Sequence, residues 1–306
     1  MSERKFEITD KTIVVLDLMY GEKIRKKIPQ LRELIKLIYE IGSDYIEITE
    51  DLYKEICPLP EKIKLKINNK LTEITGNHNI CENISKESLY INNNESIRIV
   101  GLDDIIFYDY EKIFYNIKKI FGSDIDMCIK NEYGSATAMS LEWIRSGGEK
   151  IVTTFAGIGG YAPLEGVLCS IGFLEKVTIR GNYVLFPQVL KVFEEITENQ
   201  IKSNMPFIGK DIFNVESGIH VNGIVKNPST YEPYDPGKIG RIRKIIIGKH
   251  SGVSALEIKL KELNIEYKYS NLSNMLEEVR KISTQKRRGL ENQEIKEIYM
   301  KCSNLS

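Results

Sequence analysis

No apolar run in this chain approaches the roughly 20 residues a membrane-crossing helix needs. The opening Met1-Ser-Glu-Arg-Lys-Phe6 lacks the apolar core of a secretory signal. The five cysteines (Cys57, Cys81, Cys128, Cys169, Cys302) are scattered with no CxxC pair, which argues against a disulfide frame or a zinc ribbon. Excess charge is also missing: Lys+Arg and Asp+Glu both number 43, so the basic face of a general nucleic-acid binder is not expected. Alanine is scarce while isoleucine and lysine abound. What is present, 306 residues with 42% hydrophobic and 28% charged, suits a water-soluble cytoplasmic protein with one large domain and a smaller one.

The first half alternates strand-like and helix-like segments. Thr12–Leu18 is a short apolar run of strand type. Apolar residues from Ile24 to Ile41 recur at helical spacing and stop at Gly42. Strands are expected at Tyr45–Thr49, Lys62–Ile67, Ser96–Gly101, Asp124–Lys130 and Ile151–Phe155. Helices are expected at Tyr110–Phe121, Ser135–Ser146, Leu164–Phe173 and Phe186–Thr197. Residues 68–95 are polar and Asn-rich with weak periodicity. This alternation predicts parallel β/α units. A closed (β/α)8 barrel takes about 250 residues and the alternation ends near Lys202, so the pattern fits either a shortened barrel or an open doubly wound sheet. Residues 204–235 read as loop, punctuated by Pro206, Pro228 and Pro233. A strand at Arg243–Gly248 and helices at Val253–Leu263, Asn271–Thr284 and Asn292–Lys301 then form a small, mainly helical appendage.

Chemistry-bearing residues concentrate between Phe213 and Leu256. His220 lies four residues after Glu216, a spacing at which a carboxylate can orient an imidazole. Tyr231 sits in a Pro-bounded turn from which a phenol can enter a cleft. A structural, hydrogen-bonded histidine fits the same spacing. His250, in Gly248-Lys-His-Ser-Gly252, reads as a structural cap before a helix starting at Ser251. In the first half, Cys128, Lys130 and Glu132 end one strand, but an ammonium has no lone pair to offer a cation. Ala156-Gly-Ile-Gly-Gly160 could cradle an anion or form a tight loop.

Glu216-Ser-Gly-Ile-His220, Pro228-Ser-Thr-Tyr231-Glu-Pro-Tyr-Asp-Pro236, Ile239-Gly-Arg241 and Gly248-Lys-His-Ser-Gly252 resemble, in order and spacing, the segment that follows the barrel in the metal-dependent acyl-CoA Claisen synthases. This family includes homocitrate, isopropylmalate and citramalate synthases, and the match is strongest with homocitrate synthases of the nitrogen-fixation type. Weaker similarity runs through Ile8-Thr-Asp10-Lys-Thr12, Gly134-Ser-Ala-Thr-Ala138 and Thr153–Gly159. The resemblance implies a degenerate, shortened (β/α)8 TIM-type barrel over residues 1–203 and a linker, lid and helical subdomain over 204–306. It also brings out departures. The family's keto-acid arginine and metal-binding aspartate fall on Val14 and Val15. Its His-x-His metal pair falls on Cys128 and Lys130, the asparagine after it near Met139, and its Gly-Glu-Arg loop shrinks to Gly159-Gly160-Tyr161. Loss of the whole set removes divalent-metal binding.

In this family the post-barrel residues work over a neighbouring barrel, and some homocitrate synthases are split between alpha and omega subunits. The chain is similar to the alpha type. The resemblance therefore implies a hetero-oligomer joined through the post-barrel region, with a full-barrel, omega-like partner holding a divalent Mg, Mn or Zn ion. The reaction would be condensation of acetyl-CoA with 2-oxoglutarate to homocitrate and CoA, for nitrogenase cofactor synthesis. Here the implied catalytic residues are His220, Tyr231 and Glu216, Ser217 and Gly218 would meet acetyl-CoA, and no metal ligand lies in this chain. A non-catalytic scaffold or regulator of such a synthase, and an enzyme rebuilt on Cys128, Lys130 or Glu132, are the rival expectations.

Overall fold

The computed structural model describes residues 6–67, 71–82, 96–175, 177, 180–216 and 218–303. The chain divides into two compact units, Met1–Gly209 and Lys210–Ser306; the sequence had suggested a boundary after residue 203. The first unit holds seven parallel strands: β1 (Glu7–Asp10), β2 (Tyr45–Ile48), β3 (Leu65–Ile67), β4 (Leu71–Gly76), β5 (Ser96–Gly101), β6 (Asp126–Ile129) and β7 (Lys150–Thr153). Their order is β3-β2-β1-β7-β6-β5-β4, so the last strand pairs with the first, Glu7 opposite Lys150.

Side chains inside the sheet show that it curls into a barrel. On a flat sheet four strand spacings, about 19 Å, would separate β2 from β5. Yet the Arg98 guanidinium on β5 donates to both oxygens of Glu47 on β2, at 3.1 and 2.6 Å. It also reaches Glu73 on β4 at 3.3 Å and Asp126 on β6 at 2.9 Å. Lys66 on β3 donates to Thr9 on β1 at 2.9 Å. The edge strands β3 and β4 are separated in sequence by residues 68–70 alone. Side-by-side parallel strands need a crossover of a dozen residues or more, so β3 and β4 follow one another along one wall. The ring therefore has fewer staves than eight. This is the shortened barrel, as against the open sheet.

The expected strand at Thr12–Leu18 is instead a helix, Thr12–Tyr20, and β1 lies just before it. Asp10 stops the strand by accepting the Thr12 N–H at 2.9 Å. Residues Thr12 to Leu16 are buried throughout, and a continuous apolar run does not distinguish a buried strand from a buried helix. The amphipathic helices fare better: Phe186–Thr197 and Tyr110–Phe121 keep their expected bounds, and Ala136–Arg145 differs from its expectation by one residue at each end. The helix from Leu164 ends at Cys169 and passes into a π-turn, Ser170–Leu174. β3 is shorter than the expected Lys62–Ile67. Residues 71–76, in the Asn-rich stretch read as aperiodic, form β4; residues 68–70 and 83–95 of that stretch lie outside the described residues.

The second unit has its own core, in which Val221, Ile247, Leu256, Leu276, Val279 and Ile295 are buried together. A short parallel pair, β8 (Asn214–Val215) with β9 (Lys244–Ile245), leads into it. Residues 204–235 were expected to be loop, but Gly218–Lys226 is helical. Two glycines and two β-branched valines in that stretch hide its helical tendency. Three more helices follow, Val253–Glu262, Leu272–Lys286 and Asn292–Ser303.

Two carboxyls in the barrel wall are wholly buried. Asp10 Oδ1 accepts from Thr12, and Glu165 Oε2 accepts the Ala156 N–H at 3.0 Å. Asp10 Oδ2 and Glu165 Oε1 have no partner among the described residues. Burial pushes Asp10 up to about 7 from 3.8 and Glu165 up to about 8 from 4.5. A folded state that holds these protons longer than the unfolded chain loses stability as pH rises through the window between the two values. Asp10→Asn and Glu165→Gln should therefore gain stability over the unsubstituted protein as pH rises from about 4 to about 8, by on the order of 2–4 kcal/mol each, and match it below pH 4. Urea unfolding at a series of pH values measures this; a difference independent of pH would refute it. Arg98→Met leaves Glu47 and Asp126 as uncompensated buried charges, and we expect a loss of about 3–5 kcal/mol in the same assay.

Candidate functional site

Two places carry the residues singled out in the sequence: the C-terminal mouth of the barrel, and the start of the second unit. Barrel enzymes build their sites at the C-terminal ends of the strands. Here β6 delivers Cys128 and Lys130 to that mouth. Cys128 is fully buried in a small apolar layer with Val100 and Val152, against which Tyr161 packs. Burial pushes its thiol up to about 11, so it is neither a thiolate nucleophile nor a metal ligand near neutrality. The Lys130 ammonium lies 3.9 Å from the centre of the Tyr161 ring and donates to Gly159 O at 2.9 Å. Lys11, at the end of β1, lies 4.4 Å from the centre of the same ring. The phenol is thus held against two ammonium groups, contacts worth about 0.5–2 kcal/mol each. Val14 and Val15 are buried in the Thr12–Tyr20 helix, and Met139 is buried in Ala136–Arg145. Two valines, a buried thiol and a lysine do not suit a divalent cation. Among the described residues, no group of three or more His, Cys, Asp or Glu side chains is placed to hold one.

Glu132 is exposed beside Gly160. Lys11 and Tyr161 were not singled out in the sequence, although Lys11 stands directly after the strand-ending Asp10. His78 was also missed. Its Nδ1 bonds Asp104, whose other oxygen accepts the His78 backbone N–H at 3.0 Å. Its ring stacks on Tyr108 with centroids 3.7 Å apart. Asp104 lies 26 residues further along, so no local spacing could have linked them.

In the second unit His220 is exposed on the Gly218–Lys226 helix, and its ring centre lies 4.9 Å from that of Tyr231. The Pro228–Thr230 3-10 turn brings the chain back so that Tyr231 lies on the helix. Gly223 makes this possible, because a β-carbon there would overlap the phenol ring. Glu216 behaves otherwise than the spacing suggested. Its Oε1 accepts the backbone N–H of His250 at 2.8 Å, so this carboxylate ties β8 to the Gly248–Gly252 turn and not to the His220 ring. Gly248 is required there, since any side chain would meet Glu216 and Ser283. Ser251 Oγ accepts the Gly248 N–H at 2.9 Å, and the following helix is capped by Gly252, one residue beyond the expected start. Gly218 lies close to Gly252; Ser217 falls outside the described residues. Together these contacts pin the helix that carries His220. Gly223→Ala should push Tyr231 off the helix and abolish its ring-current shift on the His220 imidazole protons, with a stability change within about 1 kcal/mol because Tyr231 is exposed. Proton NMR of the variant beside Tyr231→Leu checks this; an unchanged His220 spectrum in both would contradict the packing.

Residues 207–287 match the family model described as homocitrate synthase post-HMGL domain-like. The omega subunit of homocitrate synthase from Clostridium pasteurianum is 31% identical over 309 aligned positions, covering 87% of this chain and 88% of that one. The homocitrate synthase AksA of Methanothermobacter thermautotrophicus is 35% identical over 161 residues, 52% of this chain and 41% of its own length. The 2-isopropylmalate synthase 2 of Caldanaerobacter subterraneus is 32% identical over 208 residues, 66% of this chain and 54% of its own length. Among solved structures, the HMG-CoA lyase of Bacillus subtilis superimposes on 65% of this chain and 95% of its own, with a TM-score of 0.46 and 12% identity. The chain belongs to the homocitrate synthase family.

Proposed function

We propose that this chain is the alpha-type, non-autonomous subunit of a two-subunit homocitrate synthase and works with an omega-like subunit whose barrel is complete. The observation that carries this reading is the contrast between its two sites. At the barrel mouth Tyr161 packs against Lys11 and Lys130, and the positions that the resemblance assigns to metal ligands and a keto-acid arginine hold Val14, Val15, Cys128 and Lys130. Meanwhile His220 and Tyr231 stay exposed, adjacent and braced by the Glu216–His250 contact. The relative named as an omega subunit supports the pairing.

In this reading the partner holds the divalent cation and 2-oxoglutarate, and the dimer contact runs through the post-barrel region. Acetyl-CoA loses a methyl proton to a base, and the carbon so exposed attacks the keto carbon of 2-oxoglutarate. Water then cleaves the thioester and CoA leaves. The His220 imidazole is suited to accept that proton, and the Tyr231 phenol to donate a hydrogen bond to the thioester oxygen as it gains charge. Glu216 acts through the turn it braces, as a positioning residue. Ser217 and Gly218, at the start of the helix, are assigned to acetyl-CoA.

Mixing the purified chain with an omega-type subunit tests the reading, with CoA release followed by a thiol reagent. We expect no turnover from this chain alone, turnover from the mixture, and co-elution of the two on gel filtration. His220→Ala should lower kcat of the mixture by about 100-fold or more. Tyr231→Phe, which keeps the packing and removes the hydroxyl, should lower it by about tenfold. Full activity from the His220→Ala mixture, or from the partner by itself, would reject the catalytic role and leave a scaffold.

A further inference from the structure

Opposite the mouth that carries Cys128 and Lys130, the N-terminal mouth of the barrel is open. A cavity of about 510 Å3 lies there, lined by residues from all seven strands. Barrels ordinarily use this face for stability and carry no site on it, whereas a volume in this range is typical of small-molecule pockets. The cavity is walled by both signs of charge. Arg98, 1% exposed, contributes its guanidinium. Its two terminal nitrogens are taken up by Glu47, Glu73 and Asp126, but its Nε–H has no acceptor among the described residues. That guanidinium is held inside the wall, so the charged groups an entering molecule meets directly are the more accessible Lys66 and Lys150 and the carboxylates around them. Lys66 spends one N–H on Thr9 at 2.9 Å and lies 4.4 Å from the centre of the Tyr45 ring. Lys150 pairs with Asp124 at 2.5 Å, next to Glu7.

A simple anion placed here would meet Lys66 and Lys150 but also the carboxylates of Glu7, Asp124 and Asp126. A simple cation would meet the reverse. A molecule with an acceptor carboxylate and an ammonium a few ångströms apart can satisfy both walls at once. Ile67 and Leu71 give part of the lining an apolar surface for a side chain. The geometry points to a ligand site for a small zwitterion of the amino-acid class at the N-terminal mouth of the barrel, opposite the mouth that carries Cys128 and Lys130.

The site is testable on the isolated chain, without the partner, so its failure and the failure of the two-subunit reading are separate results. Isothermal titration calorimetry would run each proteinogenic amino acid beside its des-amino acid and its decarboxylated amine. At least one amino acid should bind with a Kd of about 1 mM or tighter, and both of its singly charged analogues should be at least about tenfold weaker. Ser96→Trp, which places an indole at the cavity rim, and Lys66→Ala, which removes an ammonium, should each weaken binding by about tenfold or more. Circular dichroism would confirm the fold of both. No saturable binding by any amino acid, equal binding of a singly charged analogue, or unchanged binding in a folded variant would overturn the assignment; if one variant does not fold, the other decides.

Discussion

The barrel of this protein is organised around one buried guanidinium. Arg98 is tied to carboxylates on β2, β4 and β6, so three parts of the wall are fixed to β5 through a single side chain. Most barrels of this kind fill the interior with layers of branched apolar residues, which pack in many nearly equivalent ways. An ionic centre is less tolerant. Glu47 and Asp126 must stay on the guanidinium or stand charged in a poorly solvated interior, so the register of β2, β5 and β6 is specified together, with the half-exposed Glu73 adding β4. That constraint lets the curled seven-stranded sheet keep a defined shape, even though β3 is only three residues long.

The changes at the C-terminal mouth form a consistent set. The Lys130 ammonium at the end of β6 is a positive charge that needs a counterpart. The shortened loop supplies one in Tyr161, whose ring faces both Lys130 and Lys11. The thiol of Cys128 completes the apolar layer beneath that ring. Val14 and Val15 can be apolar because the residues after β1 coil into a buried helix instead of reaching over a substrate. Each of these side chains makes sense only beside the others.

Much of this was legible in the sequence wherever an element is amphipathic. The helices Phe186–Thr197 and Tyr110–Phe121 announce themselves by one apolar face. The helix after β1 does not, because its first five residues are all buried and its Ile-Val-Val-Leu run looks like a strand. β4 was hidden in polar sequence because its residues alternate only weakly between partly buried and exposed. The helix carrying His220 was hidden by its glycines, one of which is there to admit Tyr231. For the candidate site, local spacing misassigned Glu216, since its partner His250 lies 34 residues away. The resemblance named both His220 and Tyr231, but nothing in the sequence brought their rings into contact. The charged cavity at the opposite mouth had no signal in the sequence, because its lining is gathered from positions spread from Glu7 to Lys150.

The second unit is stabilised by a core of its own, with Ile247, Leu256, Leu276 and Ile295 fully or almost fully buried within it. Packing defects are felt mainly by the residues that share a cavity or a contact, and distant sites add independently. A change confined to the barrel therefore need not disturb the helix that carries His220, because the contacts named above that brace it, from Glu216, Gly248, Ser251 and Gly252, are made within the second unit.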